Sequence, residues 1–532
     1  MKRRDFLKGS LLLLGLGGCR ASSRRLPPGA SRGPDFSSGH RLRDGKFPSQ
    51  PGRTRKLGTA ILGAGIAGLS AAWKLERSGY SDFEVFDLEE RGGGNSRWFD
   101  YPESPAPMAA HYLPLPTVES KAVRELLKEM GIFQGLEPDG SPRYDTRHLC
   151  HSPQERLFLY GRWQEGLFPA IGADDEDLAQ LESFQAVVES WTKWRDPQGR
   201  KAFTLPLAYA ADTPELRALD TETFASFADR QGWTSPRMRW FLEYGCRDDY
   251  GTLLEDTSAW AGLHYHCSRD GGGFSQGEQL LVWPEGNGHL SRYLLGVVGD
   301  RLRPRSLVVA VRPGQGFDYL DLGSSELVRV EADQMVYALP SFTREKTMAQ
   351  PQPAFSYSAW VTANLVLERY PEELTYSGAE LAWDNVFYES SSLGYVVATH
   401  QSLATTPHRP TVFTWYRPML EGEPAAMRKE LLKTDWAHWR DIVLAEFDTV
   451  YPGIESLARR LDVCLLGHAM VRPTPGFIWG SQRRQAMQPL ENVSFAHSDL
   501  SGISIFEEAQ YHGVRAAEEV LTRLKRDFVS SL

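Results

Sequence analysis

The chain has 532 residues, 41% of them hydrophobic, enough to bury a large core and to build two intertwined domains. Its formal net charge of -9 and isoelectric point near 5.9 argue against nucleic acid as a partner. The cysteines, Cys19, Cys150, Cys246, Cys267 and Cys464, have no C-x-x-C or zinc spacing, so no metal site is expected; one disulfide among the last four stays open, with no pairing assigned.

Residues 1–19 read as an export signal. Lys2-Arg3-Arg4-Asp5-Phe6-Leu7-Lys8 resembles a twin-arginine signal, and the apolar run Leu11 to Gly18 is too short to span a bilayer. Leu16-Gly17-Gly18-Cys19 looks like a bacterial lipobox, so the expectation is a periplasmic protein tethered to the lipid bilayer through lipidated Cys19. Residues 20–56 are rich in Ser, Arg, Pro and Gly and are expected to form a flexible tether, since so few apolar groups cannot offset chain entropy.

Next come a strand (Thr59 to Leu62), a helix (Ile66 to Arg77) and a second strand (Phe83 to Asp87). Between the first two, Gly63-Ala64-Gly65-Ile66-Ala67-Gly68 supplies a tight turn, close backbone approach to a pyrophosphate, and tight packing of helix on strand. The helix N–H groups then face the phosphates. Asp87 ends the second strand where a carboxylate accepts hydrogen bonds from a ribose 2′-hydroxyl. This pattern is a dinucleotide site.

Arg91-Gly92-Gly93-Gly94-Asn95-Ser96-Arg97 resembles the second glycine motif of the superfamily of FAD-dependent amine oxidases, protoporphyrinogen oxidases and phytoene desaturases. The resemblance implies noncovalent FAD. Gly63, Gly65, Ile66, Ala67 and Gly68 would hold the pyrophosphate and Asp87, with Leu88 beside it, the ribose. Arg91, Gly93 and Gly94 would approach the diphosphate, and Arg97 would stand in for the arginine that Asn95 replaces.

Further along, Met108-Ala109-Ala110-His111-Tyr112-Leu113 matches the superfamily's turn beneath the flavin ring, with His111 either flavin-facing or a packed, hydrogen-bonded histidine. Apolar spacing predicts a helix over Ala122 to Met130, Cys246 to Gly251 has the acids and base of a polar site but reads equally as a helix end followed by a turn, and Trp260 and His264 share a helical face. Trp283 to Leu290 is a glycine turn leading into a helix. Strands are expected at Ser306–Val311, Phe317–Leu322 and Gln334–Leu339, and Val308 matches the valine whose backbone contacts the adenine. Strands at Tyr357–Leu367, Leu393–Thr399 and Thr411–Tyr416 would floor the substrate cavity, with Trp383 and His400 nearest to it. His468 and Ile478 occupy positions like those of the amine oxidase aromatic cage, and the superfamily's flavin-linked lysine has no counterpart. Phe495 to Ala517 resembles the last FAD motif: Asp499, or Ser498 by a one-residue shift, would bind the ribityl chain. A helix from Ile505 would aim its positive end at the flavin.

The expected architecture is α/β: a Rossmann-type FAD-binding domain (57–113, 287–340 and 466–532) with an inserted mixed α+β substrate domain, mostly helical over 114–286 and a sheet over 341–465. The resemblance implies an FAD-dependent oxidoreductase that moves a hydride from a small-molecule C–H, an amine first, to flavin N5, with oxygen, a quinone or a cytochrome as electron acceptor. Trp383, His400 and His468 are the candidate catalytic residues. A desaturase or dehydrogenase of a lipid or isoprenoid, and a noncatalytic flavin-binding protein, are the alternatives.

Overall fold

The computed structural model describes residues 26–269, 279–350, 355–373, 378–402, 406 and 408–532. Strand Arg53–Leu62 lies at the centre of a seven-stranded sheet, parallel to Phe83–Phe86 on one side and to Leu327–Tyr337 on the other. Leu302–Arg303 continues the parallel run beyond Phe83–Phe86, and Val493–Phe495 pairs parallel with the end of Leu327–Tyr337. An antiparallel hairpin, Ser306–Arg312 and Gly316–Asp321, completes the sheet. Side chains alternate with period two. Ile61, Val85 and Val336 pack against helices, whereas Ala60, Leu62, Phe86, Met335 and Tyr337 pack against the hairpin and Val471.

Helix Ile66–Arg77 is buried from Ile66 to Leu75, because it is covered by the sheet and by helices Gly288–Val298 and Phe506–Arg523. Even Lys74 lies inside, its ammonium held by the Val529 carbonyl, the Ser531 hydroxyl and Glu518. Helices Ile66–Arg77 and Phe506–Arg523 meet at Gly513, where any Cβ would overlap the Ala67 carbonyl.

The inserted domain is built on an eight-stranded sheet with the order Ser31–Arg32, Ala458–Val471, Tyr357–Leu367, Thr411–Pro418, Tyr395–Val397, Asp384–Phe387, Glu155–Leu159, Arg162–Glu165. Helices Pro424–Lys433 and Trp436–Val450 cover one face. On the other face lies a helical layer that includes Asp175–Lys193, Phe224–Gln231, Pro236–Tyr250 and Ala259–Cys267. Two pieces of the expected helical half, Glu155–Leu159 and Arg162–Glu165, are therefore strands of this sheet. Helix Lys121–Glu129, the helix ending at Gly251, and the stacked rings of Trp260 and His264 at 5.0 Å match the sequence pattern.

Two sequence expectations are corrected. From Leu26 onward the residues assigned to a flexible tether are folded: Ser31–Arg32 is a strand, Phe36–Asp44 a helix, and the central strand already begins at Arg53. A strand that adds to an existing edge needs no core of its own, so composition misjudged it. Cys150, Cys246, Cys267 and Cys464 are all free and buried, which removes the open disulfide. Val308 lies in strand Ser306–Arg312, close to the expected bounds, with its side chain in the apolar layer with Phe86 and Tyr319. Cys19 and the rest of the expected export signal lie outside the described residues. Gly513→Ala is expected to destabilise the protein by about 1–3 kcal/mol through overpacking, read as a lower urea midpoint; an unchanged midpoint would mean that the two helices do not touch there.

Candidate active site

The strands Arg53–Leu62, Phe83–Phe86, Leu327–Tyr337 and Val493–Phe495 run parallel, so their C-terminal ends deliver Gly63, Asp87, Ala338 and Ala496 to one edge, where open α/β sheets bind ligands. At Gly63, with φ +104°, a Cβ would lie 2.7 Å from the Ala338 carbonyl, and at Gly68 it would overlap the Gly63 carbonyl. Gly65 has no heavy atom near its missing Cβ, and as N-cap of Ile66–Arg77 it supplies no side-chain cap. The first N–H groups of that helix therefore face open space, which suits a diphosphate.

Asp87 braces this turn. Its carboxylate accepts from the Ala64 N–H at 2.5 Å and the Glu89 N–H at 2.8 Å, and burial pushes its pKa up to about 6. The arginines are engaged elsewhere. Arg97 donates to Glu89 at 2.8 Å and to the Gly94 carbonyl at 3.2 Å, while Arg91 lies over the Trp98 ring and pairs with Asp100 at 3.1 Å. Both pairings of Arg91 lie at the surface, with its side chain and that of Asp100 about half exposed.

A groove continues from Gly65. Gly94, Asn95, Ala109 to Tyr112, His468 to Met470, Ser504 and Ile505 all keep water-accessible surface. Asn95 joins three of these segments: its carbonyl accepts from Ala110 N–H at 3.1 Å, and its amide donates to the Ala469 carbonyl at 3.0 Å. Along this groove Asp499 is buried. It accepts from the Ser341 N–H at 3.0 Å and the Tyr357 hydroxyl at 2.7 Å, with His497 at 3.1 Å. Burial would raise its pKa, but His497 and these donors outweigh it and hold it at about 2.

Helix Phe506–Arg523 starts at Ile505 as expected, with no side-chain cap. Its first turn carries two buried acids. Glu507 faces Arg269 at 3.3 Å, and Glu508 accepts from the Leu207 N–H at 2.6 Å and the Ser501 hydroxyl at 2.5 Å. Burial pushes Glu508 up to about 7.

The far end of the groove is a cage of aromatic rings and carboxyls. His111 lies 4.9 Å from Tyr416 and 5.7 Å from Trp383, and Tyr112 is edge-on to Trp383 at 5.7 Å. Asp384 accepts from Tyr416 at 3.0 Å and from Tyr244 at 3.4 Å, and Asp248 accepts from the Tyr112 hydroxyl. Desolvation lifts Asp384 to about 7 and, with Asp249 and Asp384 nearby, lifts Asp248 well above the carboxylate range. Among the described residues no lysine or arginine forms an ion pair with either carboxyl, and Arg269 lowers the Asp248 pKa by less than burial raises it. His111, Tyr112 and Asp248 keep part of their surface exposed, while Tyr244, Trp383, Asp384 and Tyr416 are buried.

Residues 61–130, which contain the glycine turn, match the family model of the NAD(P)-binding Rossmann-like domain. Among solved structures, a putrescine oxidase variant from a redesign of cofactor binding superposes with a TM-score of 0.64 at 15% identity, over 88% of this chain and 100% of the other. Cyclohexylamine oxidase from Brevibacterium oxydans gives 0.62 at 16% identity, over 89% and 100%. A conjugated-linoleate-producing fatty acid isomerase from P. acnes gives 0.61 at 14%, over 88% and 98%. The chain has their two-domain fold. No curated protein sequence matches it.

Within that fold the three candidate catalytic residues do not meet. Trp383 is a wall of the cage, but His468 stacks on Phe342 at 4.1 Å near Asp499. His400 sits on another turn, bonded to the His151 carbonyl at 2.8 Å. Ser498 only opens the short turn that presents Asp499, and Ile478 is fully buried. The cage residues Tyr112, Tyr244, Asp248, Asp384 and Tyr416 come from four separate segments, and the one local signal was the Cys246–Gly251 polar run, which reads equally as a helix end. Asp499 ordinarily titrates near 3.9 in an unfolded chain, so its stabilising contribution is complete above that pH and is lost as pH falls through about 2. Asp499→Asn should cost about 2 kcal/mol at pH 7, measured by urea unfolding, with the difference closing toward pH 2; a penalty independent of pH would show that the carboxylate is not held ionised.

Proposed function

We propose that the protein is an FAD-dependent oxidoreductase acting on a small cationic amine. The observation that carries the substrate class is the cage: two carboxyls, Asp248 and Asp384, ringed by Tyr112, Tyr244, Trp383 and Tyr416, with His111 beside Tyr416. Uncompensated buried carboxyls are costly, and a bound ammonium supplies the missing charge while the ring faces stabilise it further. Support for FAD comes from the open helix N-terminus at Gly65, the half-accessible Asp87 and Leu88, and the groove that runs past Asp499 to the cage. When bound, FAD supplies the hydride acceptor.

The chain's own residues bind and orient the substrate and exclude water from it. Asp384, near 7, is poised to take a proton from an ammonium at neutral pH, since catalytic proton transfer is most efficient with a pKa near the working pH. Neutral His111, lowered to about 4 by burial with its Nδ1–H on the Ala109 carbonyl, forms an uncharged wall. Oxygen, a quinone or a cytochrome takes up the electrons, and export with lipidation at Cys19 places the enzyme at a membrane outside the cytoplasm.

Action on a lipid or isoprenoid is the second reading, and the fatty acid isomerase shares the fold. The cage weighs against it, because a hydrocarbon chain offers neither buried carboxyl a counter-charge. The test is anaerobic bleaching of the flavin band by a panel of monoamines, diamines, unsaturated fatty acids and isoprenoids. Amines should bleach it, with apparent affinity rising as pH rises through about 7 and Asp384 ionises. Asp384→Asn should weaken amine binding by roughly 10- to 100-fold, the loss of one buried charged hydrogen bond, and flatten the pH dependence. Bleaching by the lipids alone would replace this assignment with the second reading.

A further inference from the structure

We infer that the segment from Gly29 to Phe47 is a detachable outer wall of the dinucleotide site that slows release of the cofactor; this rests on the FAD reading above. The segment touches both domains. At its start it is locked to the edge of the inserted sheet: Ser31 and Arg32 pair with Val463 and Cys464, Ala30 N–H donates to Asp462 at 3.0 Å, and Leu461 N–H donates to the Pro28 carbonyl at 2.9 Å. Any Cβ at Gly29 would overlap the Leu461 carbonyl, so this pairing tolerates only glycine there. The chain then crosses to the nucleotide domain, where Asp35 N–H donates to Glu89 at 2.9 Å, the same carboxylate that holds Arg97.

Helix Phe36–Asp44 follows, capped by Asp35 at its start and left-handed Gly45 at its end. Gly39 lies against Leu88, the neighbour of Asp87: a Cβ there would be 3.6 Å from the Leu88 Cδ2. Leu42 and Phe47 pack with Leu88 on Leu307 and Val309. The helix thus covers Leu88, the neighbour of Asp87, at the end of the site where Asp87 would receive a ribose.

Two properties make it a wall that can leave. None of its residues is fully buried, and a helix of 9 residues is not stable alone, so it depends on its anchors. Arg91 and Arg97 are committed to Asp100 and Glu89, which leaves backbone donors and enclosure to retain a dianionic diphosphate.

The experiment uses the holoprotein and follows flavin release by fluorescence after dilution. Gly29→Val, which detaches the strand, and the double variant Leu42→Ser with Phe47→Ser, which detaches the helix, should each speed release at least 10-fold. As a measurement on the wild type, trypsin cleavage at the exposed Arg43 and Lys46 should be slower with FAD bound than without, because a ligand that needs the closed wall must also favour it. Release rates unchanged in both variants, or trypsin rates equal with and without FAD, would overturn the wall while leaving the cofactor reading intact. A wild type that binds no FAD overturns both.

Discussion

Close approach of backbone to backbone around the first glycine turn is the constraint on which the rest of this molecule depends. Gly63 faces the Ala338 carbonyl, Gly68 the Gly63 carbonyl, and Gly513 the Ala67 carbonyl. These contacts bring together chain segments from three distant parts of the sequence with no side chain between them. The result is a floor made of peptide groups, with N–H donors presented at Gly65 and Ile66. The inserted domain is hung from this floor: the chain leaves after Leu113 and Leu339 and each time returns to the same sheet.

Charge is distributed unevenly along the groove. At the glycine turn the guanidinium groups are neutralised by Glu89 and Asp100, so attraction of a diphosphate falls to the helix N-terminus and to peptide dipoles. Such donors act over one turn of helix, and their effect grows when water is excluded.

What the sequence disclosed and what it hid follow from the range of the interactions involved. The glycine turn, Asp87, the helix from Phe506 and the period-two strands are local patterns, and each lies within a few residues of where the pattern put it. Arg91 stands in the motif's register, and it pairs with Trp98 and Asp100, seven and nine residues on. The cage needed the registers of strands Asp384–Phe387 and Thr411–Pro418 and the phase of helix Pro236–Tyr250, which no local window contains. The N-terminal segment was misjudged on composition, although Gly29 and Gly33 were the residues that let it lie flat against Leu461 and Cys464.

Two buried aspartates in this one groove illustrate how placement decides chemistry. Asp499 is met by a peptide N–H, a tyrosine hydroxyl and a histidine, and it stays ionised near 2. Asp384 is met chiefly by tyrosine hydroxyls, and desolvation carries it to about 7. Neutral hydroxyls solvate a carboxylate less well than water does, so the charge they support is conditional. Asp499 thus stays charged and joins the Ser341 turn to Tyr357, whereas Asp384 becomes charged only as pH rises through about 7.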